Sequence, residues 1–171
     1  MDIDIQGPIW RPSNQRVKKA NMTSFCEYLQ KSQRGKFDDY DALWNWSVTN
    51  IENFWSVFWD YAKIKGTKGD VILTPYKEIM NAKFFPNGEI NYAENVLNSP
   101  NNGPAIIFHD EGGIRTEWSW KELHNSVSLL QQSLRKSGVQ KGDRVAGIVP
   151  NSPYTIVAVL AVSSIGAVWS S

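Results

Sequence analysis

Apolar positions recur at helical spacing in three stretches of the first part of the chain. Met22, Phe25, Cys26 and Leu29 line one face of a short helix whose expected N-cap is Asn21. A second short helix is predicted over residues 38–46. The third stretch carries the clearest signal: Thr49 and Glu52 have the spacing of a capping box, in which hydroxyl and carboxylate each satisfy a free backbone N–H. Behind it Ile51, Phe54, Trp55, Phe58, Trp59 and Ala62 form one broad stripe, with Gly66 as the expected stop. Residues 65–91 read as loop, punctuated by Gly66, Gly69, Pro75, Pro86 and Gly88. Residues 92–97 suggest one or two helical turns.

The pattern changes after Ser99-Pro100-Asn101-Asn102-Gly103-Pro104, a run of turn formers that marks the expected boundary. Residues 105–108 and 114–118 read as two strands joined by a tight turn at 110–113. Ser119 and Glu122 form a second capping box. Leu123, Val127, Leu130 and Leu134 then mark an amphipathic helix ending at Gly138. A turn at Lys141-Gly142-Asp143 leads into an apolar strand over 144–149. Ser152 is the expected cap of a helix with Pro153 in its first turn, where a missing N–H costs nothing. That helix is apolar nearly all round, so both faces are expected to be covered. Ala167-Val168-Trp169 opens another strand. Helices alternating with continuous apolar strands imply parallel pairing. The fold class is α/β: a helical and loop region, then the start of a doubly wound, largely parallel sheet.

Composition narrows the classes. A chain of 171 residues with 42% hydrophobic and 20% charged side chains is globular in composition. A formal net charge of +1 gives no general pull toward nucleic acid or lipid, and neither is expected as a partner. The single cysteine, Cys26, excludes an internal disulfide framework and fits a reducing compartment. Met1-Asp2-Ile3-Asp4 lacks the basic start of a secretory signal. The longest apolar run, 155–169, falls short of the ~20 residues of a bilayer span. A soluble, cytoplasmic protein is expected.

No complete catalytic motif is present. The P-loop pattern is absent, and the strand-to-helix turn Val149-Pro150-Asn151-Ser152-Pro153 has two prolines and no glycine, unlike a dinucleotide fingerprint. There is no nucleophile elbow. His109, at a strand end, and His124, beside the apolar stripe of its helix, are the only near-neutral bases. Without clustered carboxylates or cysteines they make neither a catalytic site nor a metal site. The group Trp44, Trp46, Phe54, Trp55, Phe58 and Trp59 has the makings of a stacking platform, but no basic run interleaves it and its helical spacing favours core packing. Arg16-Val17-Lys18-Lys19 reads as a solvated segment before the first helix, and Gly112-Gly113 as turn chemistry.

Several segments resemble a known family. They are Leu43-Trp44-Asn45-Trp46-Ser47-Val48-Thr49; Phe84-Phe85-Pro86-Asn87-Gly88-Glu89-Ile90-Asn91-Tyr92-Ala93-Glu94-Asn95; Gly138-Val139-Gln140-Lys141-Gly142-Asp143-Arg144-Val145; Pro150-Asn151-Ser152-Pro153; and Ile165-Gly166-Ala167-Val168-Trp169-Ser170-Ser171. Together they resemble the N-terminal part of an AMP-forming acyl-CoA synthetase of the adenylate-forming superfamily. The Trp-x-Trp-Ser-Val and Ala-Val-Trp-Ser-Ser segments suggest the acetoacetyl-CoA synthetase subgroup more than acetyl- or propionyl-CoA synthetases. The resemblance implies a two-step ligase using ATP, Mg2+ and CoA on acetoacetate or another short-chain acid. It implies an N-terminal extension (1–37), a helical region of acetyl/acetoacetyl-CoA synthetase type (38–99) and the start of the AMP-binding, or adenylation, domain (100–171). The family's phosphate loop, nucleotide motifs, CoA contacts and catalytic lysine are expected beyond Ser171. No catalytic, cofactor-binding or metal-binding residue is therefore assigned here. A fragment of this kind is expected to be inactive alone and to self-associate. The alternative class is a non-enzymatic α/β interaction module.

Overall fold

The computed structural model describes residues 8–98 and 102–171. The reading of Met1 to Asp4 and the first part of the expected boundary, Ser99, Pro100 and Asn101, lie outside these residues. The chain forms two units interleaved in sequence, Met1–Ile64 with Asp70–Pro86 and Lys65–Gly69 with Asn87–Ser171.

In the first unit the Ser13 hydroxyl accepts from the Arg16 N–H at 3.3 Å and caps α1 (Asn14–Lys18). The run Arg16-Val17-Lys18-Lys19 is thus largely helical, a correction to its reading as a segment before the first helix. It is solvent-facing, as expected. In α2 (Asn21–Lys31) the N-cap is Ala20 and not Asn21. Asn21 instead offers its backbone carbonyl to the Tyr61 hydroxyl at 3.0 Å. The Asp39 carboxylate caps α3 (Tyr40–Thr49), which continues past residue 46. That continuation removes the capping box expected at Thr49 and Glu52. Thr49 Oγ1 donates back to the Asn45 carbonyl at 2.7 Å, and α4 (Ile51–Tyr61) starts at Asn50 without a side-chain cap.

Phe25, Leu29, Leu43 and Val57 make the core of this unit, with the Phe25 ring edge-on to Phe54 and Phe58. The innermost residue of α4 is therefore Val57, while Trp55 and Phe58 of the expected stripe stay exposed. The helix ends before Gly66: Lys63 takes a left-handed φ of 52° and the Ile64 N–H closes onto the Trp59 carbonyl. The segment after it holds a 3-10 turn (Ile79–Asn81) and a bridge from Leu73 to Phe84.

The second unit opens with two short strands inside the expected loop, β1 (Gly66–Thr67) and β2 (Glu89–Ile90), paired antiparallel. A β-carbon at Gly66 would run into the Glu89 carbonyl oxygen, which is why this strand needs glycine. After α5 (Tyr92–Leu97) come the antiparallel hairpin β3 (Pro104–His109) and β4 (Arg115–Ser119), then α6 (Trp120–Lys136), β5 (Arg144–Ala146), α7 (Pro153–Ile165) and β6 (Val168–Ser170). β5 and β6 pair in parallel with Arg144 opposite Val168, the pairing expected across a helical crossover. β5 stops at Ala146 and not at Val149. The Gly147 N–H still reaches the Ser170 carbonyl at 3.0 Å, but Ile148 and Val149 turn out to solvent. Ala93, Leu123 and Val127 pack on Val157, Leu160 and Ala161 of α7 to make the core. Ser152 is the N-cap residue of α7, yet its side chain makes no capping hydrogen bond. The Thr155 hydroxyl instead donates to the Pro150 carbonyl at 2.6 Å.

The Ser119 and Glu122 capping box is complete. The hydroxyl accepts from the Glu122 N–H at 3.2 Å, and the carboxylate accepts from the Ser119 N–H at 2.7 Å. The Ser119 backbone and side-chain hydrogen bonds hold Glu122 below its ordinary value of 4.5. A carboxylate with a lowered folded-state pKa contributes stability above its unfolded value and loses it as pH falls through the folded one. Ser119→Ala should cost ~0.5–2 kcal/mol at neutral pH. It should also flatten the loss of stability below pH 4.5. Urea titrations on either side of that pH check both, and an unchanged acid limb would detach Glu122 from the cap.

Candidate functional site

The structure places the two histidines at exposed positions on separate elements. His109 ends β3 and is exposed. His124 is exposed on α6 and borders an open cleft of about 460 Å3 together with Lys65, Asn91, Glu94, Gln131 and Ser164. Among the described residues no group of three or more His, Cys, Asp or Glu side chains converges to hold a metal. Burial pushes the Cys26 thiol up from its ordinary value, the opposite of an activated nucleophile. The aromatic group is a packing cluster in part: Trp46 meets Phe37 and Phe54, and Trp59 meets Phe85. Trp44 projects to solvent beside an apolar cleft of about 290 Å3 that includes Phe25, Tyr40 and Phe58.

Organised polar contacts lie in the segments that carry the family resemblance. Asn91 caps α5 by accepting the Glu94 N–H at 3.1 Å, while its Nδ2 donates to the Ser163 carbonyl at 2.9 Å in the last turn of α7. Asn95 grips the main chain of Lys65 from both sides. Its Oδ1 accepts the Lys65 N–H at 2.8 Å and its Nδ2 donates to the Lys65 carbonyl at 2.9 Å. The two asparagines of Asn91-Tyr92-Ala93-Glu94-Asn95 therefore tie α5 to α7 and to the chain entering β1. An asparagine suits both positions because one side chain carries a donor and an acceptor.

Lys141-Gly142-Asp143 works in the same way. Asp143 accepts the Gln140 N–H at 2.8 Å to close the turn. The Gly142 N–H donates to the Gly166 carbonyl at 3.0 Å, and the Asp143 carbonyl accepts from the Val168 N–H at 2.7 Å. Gly142 and Gly166 have φ of 89° and 81°, and the Lys141 stem lies over Gly166 with no room to spare. This turn sets the register in which β6 joins β5. Gln131 and Ser164, joined at 2.7 Å, add a polar link between α6 and α7. Asn91, Asn95 and Lys141-Gly142-Asp143 belong to the segments that carry the resemblance, but their clamping contacts are not legible from the sequence. An asparagine just before a short helix was the one signal that could have exposed the Asn91 cap.

Two family models match the chain. That of the AMP-binding enzymes matches residues 92–171, and that of the acetyl-coenzyme A synthetase N-terminus matches residues 40–96. Together the two models span residues 40–171, and the chain is similar to the N-terminal quarter of acyl-CoA synthetases. It is 39% identical over 169 residues to the acetoacetyl-coenzyme A synthetase of Rhizobium meliloti, covering 99% of this chain and 26% of that protein. It is 30% identical over 177 residues to a malonamoyl-CoA synthetase of Penicillium aethiopicum, covering 95% of this chain and 23% of that one. The solved acetoacetyl-CoA synthetase of Streptomyces lividans superimposes with a TM-score of 0.85 at 32% identity, over 96% of this chain and 26% of that structure. The chain thus spans about a quarter of the length of the curated relatives it matches.

Proposed function

We propose that this chain is the N-terminal part of an enzyme that joins acetoacetate to CoA. The observation that carries the reading is the likeness to acetoacetyl-CoA synthetases over nearly the whole chain, in sequence and in fold. In the proposed reaction a carboxylate oxygen of acetoacetate attacks the α-phosphorus of ATP, and pyrophosphate leaves. The CoA thiol then adds to the acyl carbonyl, and AMP leaves with the bonding electrons. Mg2+ would neutralise phosphate charge during the first step. The described residues offer it no converging ligand set. In this reading residues 1–171 supply scaffold and no catalytic, cofactor-binding or metal-binding side chain. Residues 1–37 are an extension, 38–99 the helical region and 100–171 the start of the adenylation domain. The single Cys26 suits a cytoplasmic setting. No helix among the described residues is long and apolar enough to cross a membrane. Alone, the chain is proposed to self-associate.

The Penicillium relative supports a second substrate. Acetoacetate and malonamate share a carbonyl β to the carboxylate and differ by methyl against amide nitrogen. A pocket built for the shared carbonyl would reject acetate and propionate, which lack it. The whole enzyme, assayed for AMP release with all four acids, should favour acetoacetate over acetate by at least roughly tenfold in kcat/KM. Preference for malonamate would select the second reading, and preference for acetate would remove both.

A further inference from the structure

The chain is close to neutral as a whole, but its charge is segregated. Residues 9–34 carry six Lys and Arg against a single acidic residue, Glu27. All six are exposed. Arg16 and Lys19 line one open concavity of about 640 Å3 with Ser13, Gln15 and the backbone around Ala20 and Asn21. Large apolar side chains are exposed in the same stretch: Ile9 at 87% and Trp10 at 63%. The Arg16 guanidinium sits 5.5 Å from the centre of the Trp10 ring. The Thr23 hydroxyl, donating to the Val17 carbonyl at 2.6 Å, pins the corner between α1 and α2. A cationic concavity flanked by an unburied tryptophan and isoleucine is the composition of an interfacial membrane contact.

We propose that the segment around Ile9, Trp10, Arg16 and Lys19 docks on the surface of anionic phospholipid. The cations meet headgroup phosphates, and Trp10 and Ile9 enter the headgroup layer, where an indole is at home. Charge complementarity alone would also suit nucleic acid, but the apolar residues decide against it. Arg16 already takes up one face of Trp10, which leaves a single face for stacking on a base. Ile9 has no counterpart in a phosphate-backbone contact. The near-neutral total conceals this patch, because the acidic residues lie mostly in the rest of the chain.

Flotation of the purified chain with vesicles tests the proposal. Phosphatidylcholine vesicles containing phosphatidylserine should carry the chain upward at low salt, and pure phosphatidylcholine vesicles should not. Each cation removed in the series Arg16→Ser, Lys18→Ser, Lys19→Ser should lower partitioning about fivefold. Trp10→Ala, which keeps every charge, should lower it roughly tenfold. A swap of Arg16→Lys with Lys19→Arg should retain it, which separates charge from misfolding, and circular dichroism checks each variant. Equal flotation with both vesicle types, or none with either, overturns the proposal. So does an unaffected Trp10→Ala variant, or tighter binding to a DNA or RNA oligonucleotide than to the anionic vesicles.

Discussion

Exchange of labelled pyrophosphate into ATP in the presence of acetoacetate should stay at background when the 171-residue chain is assayed alone. Adenylyl transfer is driven by positioned donors and cations around the phosphates, and each such group removed costs orders of magnitude in rate. Among the described residues the second unit has one parallel strand-to-helix turn, between β5 and α7, where nucleotide-binding folds place phosphate. Here that turn reads Val149-Pro150-Asn151-Ser152-Pro153. Its prolines remove backbone N–H donors, its lack of glycine blocks close approach, and the Thr155 hydroxyl is already engaged by the Pro150 carbonyl. No Lys or Arg lies between Arg144 and Ser171 to take the place of a phosphate-binding cation. The whole enzyme assayed in parallel should exchange readily. Exchange by the chain that survives repurification would place the chemistry inside these residues and sink the scaffold reading.

The contrast between two similar sequence patterns explains what could be read in advance. Ser119 with Glu122 and Thr49 with Glu52 share the spacing of a capping box, yet only the first is one. Before Ser119 the chain is a strand, so the backbone arrives extended and the serine is free to cap. Before Thr49 it is already helical, and a hydroxyl on a continuing helix finds the carbonyl of Asn45 first. Local spacing cannot register that difference, because it depends on where the preceding helix stops. Strands β1 and β2 escaped notice for another reason. Two residues cannot show an alternating pattern, and their pairing spans residues 66–90 and is secured partly by Asn95 through Lys65. The later order of hairpin, helix, strand, helix and strand was legible because α6 and α7 are long and carry the apolar residues of the core, and turn formers separate them from the short apolar strands. The clamps of Asn91 and Asn95 were visible as residues but not as contacts, since their partners lie on α7 and ahead of β1.

Light scattering across a dilution series should show the isolated chain as a dimer or larger. The apolar surface available for this is not the whole of α7. Val157, Leu160 and Val162 are buried. What remains exposed is narrower: Ile148 and Val149 just after β5, Tyr154 and Ile156 in the first turn of α7, and Val168 at the start of β6. These two strands form a two-stranded sheet, so among the described residues each has an edge without a strand neighbour. Open edges beside exposed aliphatic side chains invite pairing with another chain. Burying one such side chain is worth ~1.5–3 kcal/mol, so several together favour association against its entropic cost. A stable contact should cover more than ~1,000 Å2 in total. Ile148→Lys combined with Val149→Lys places charge on that edge and should weaken association by roughly tenfold or more, with the fold kept because neither side chain belongs to the core. A chain that stays monomeric at every concentration, or a double variant that associates as tightly as the parent, would show that this edge is closed in solution by some other part of the chain.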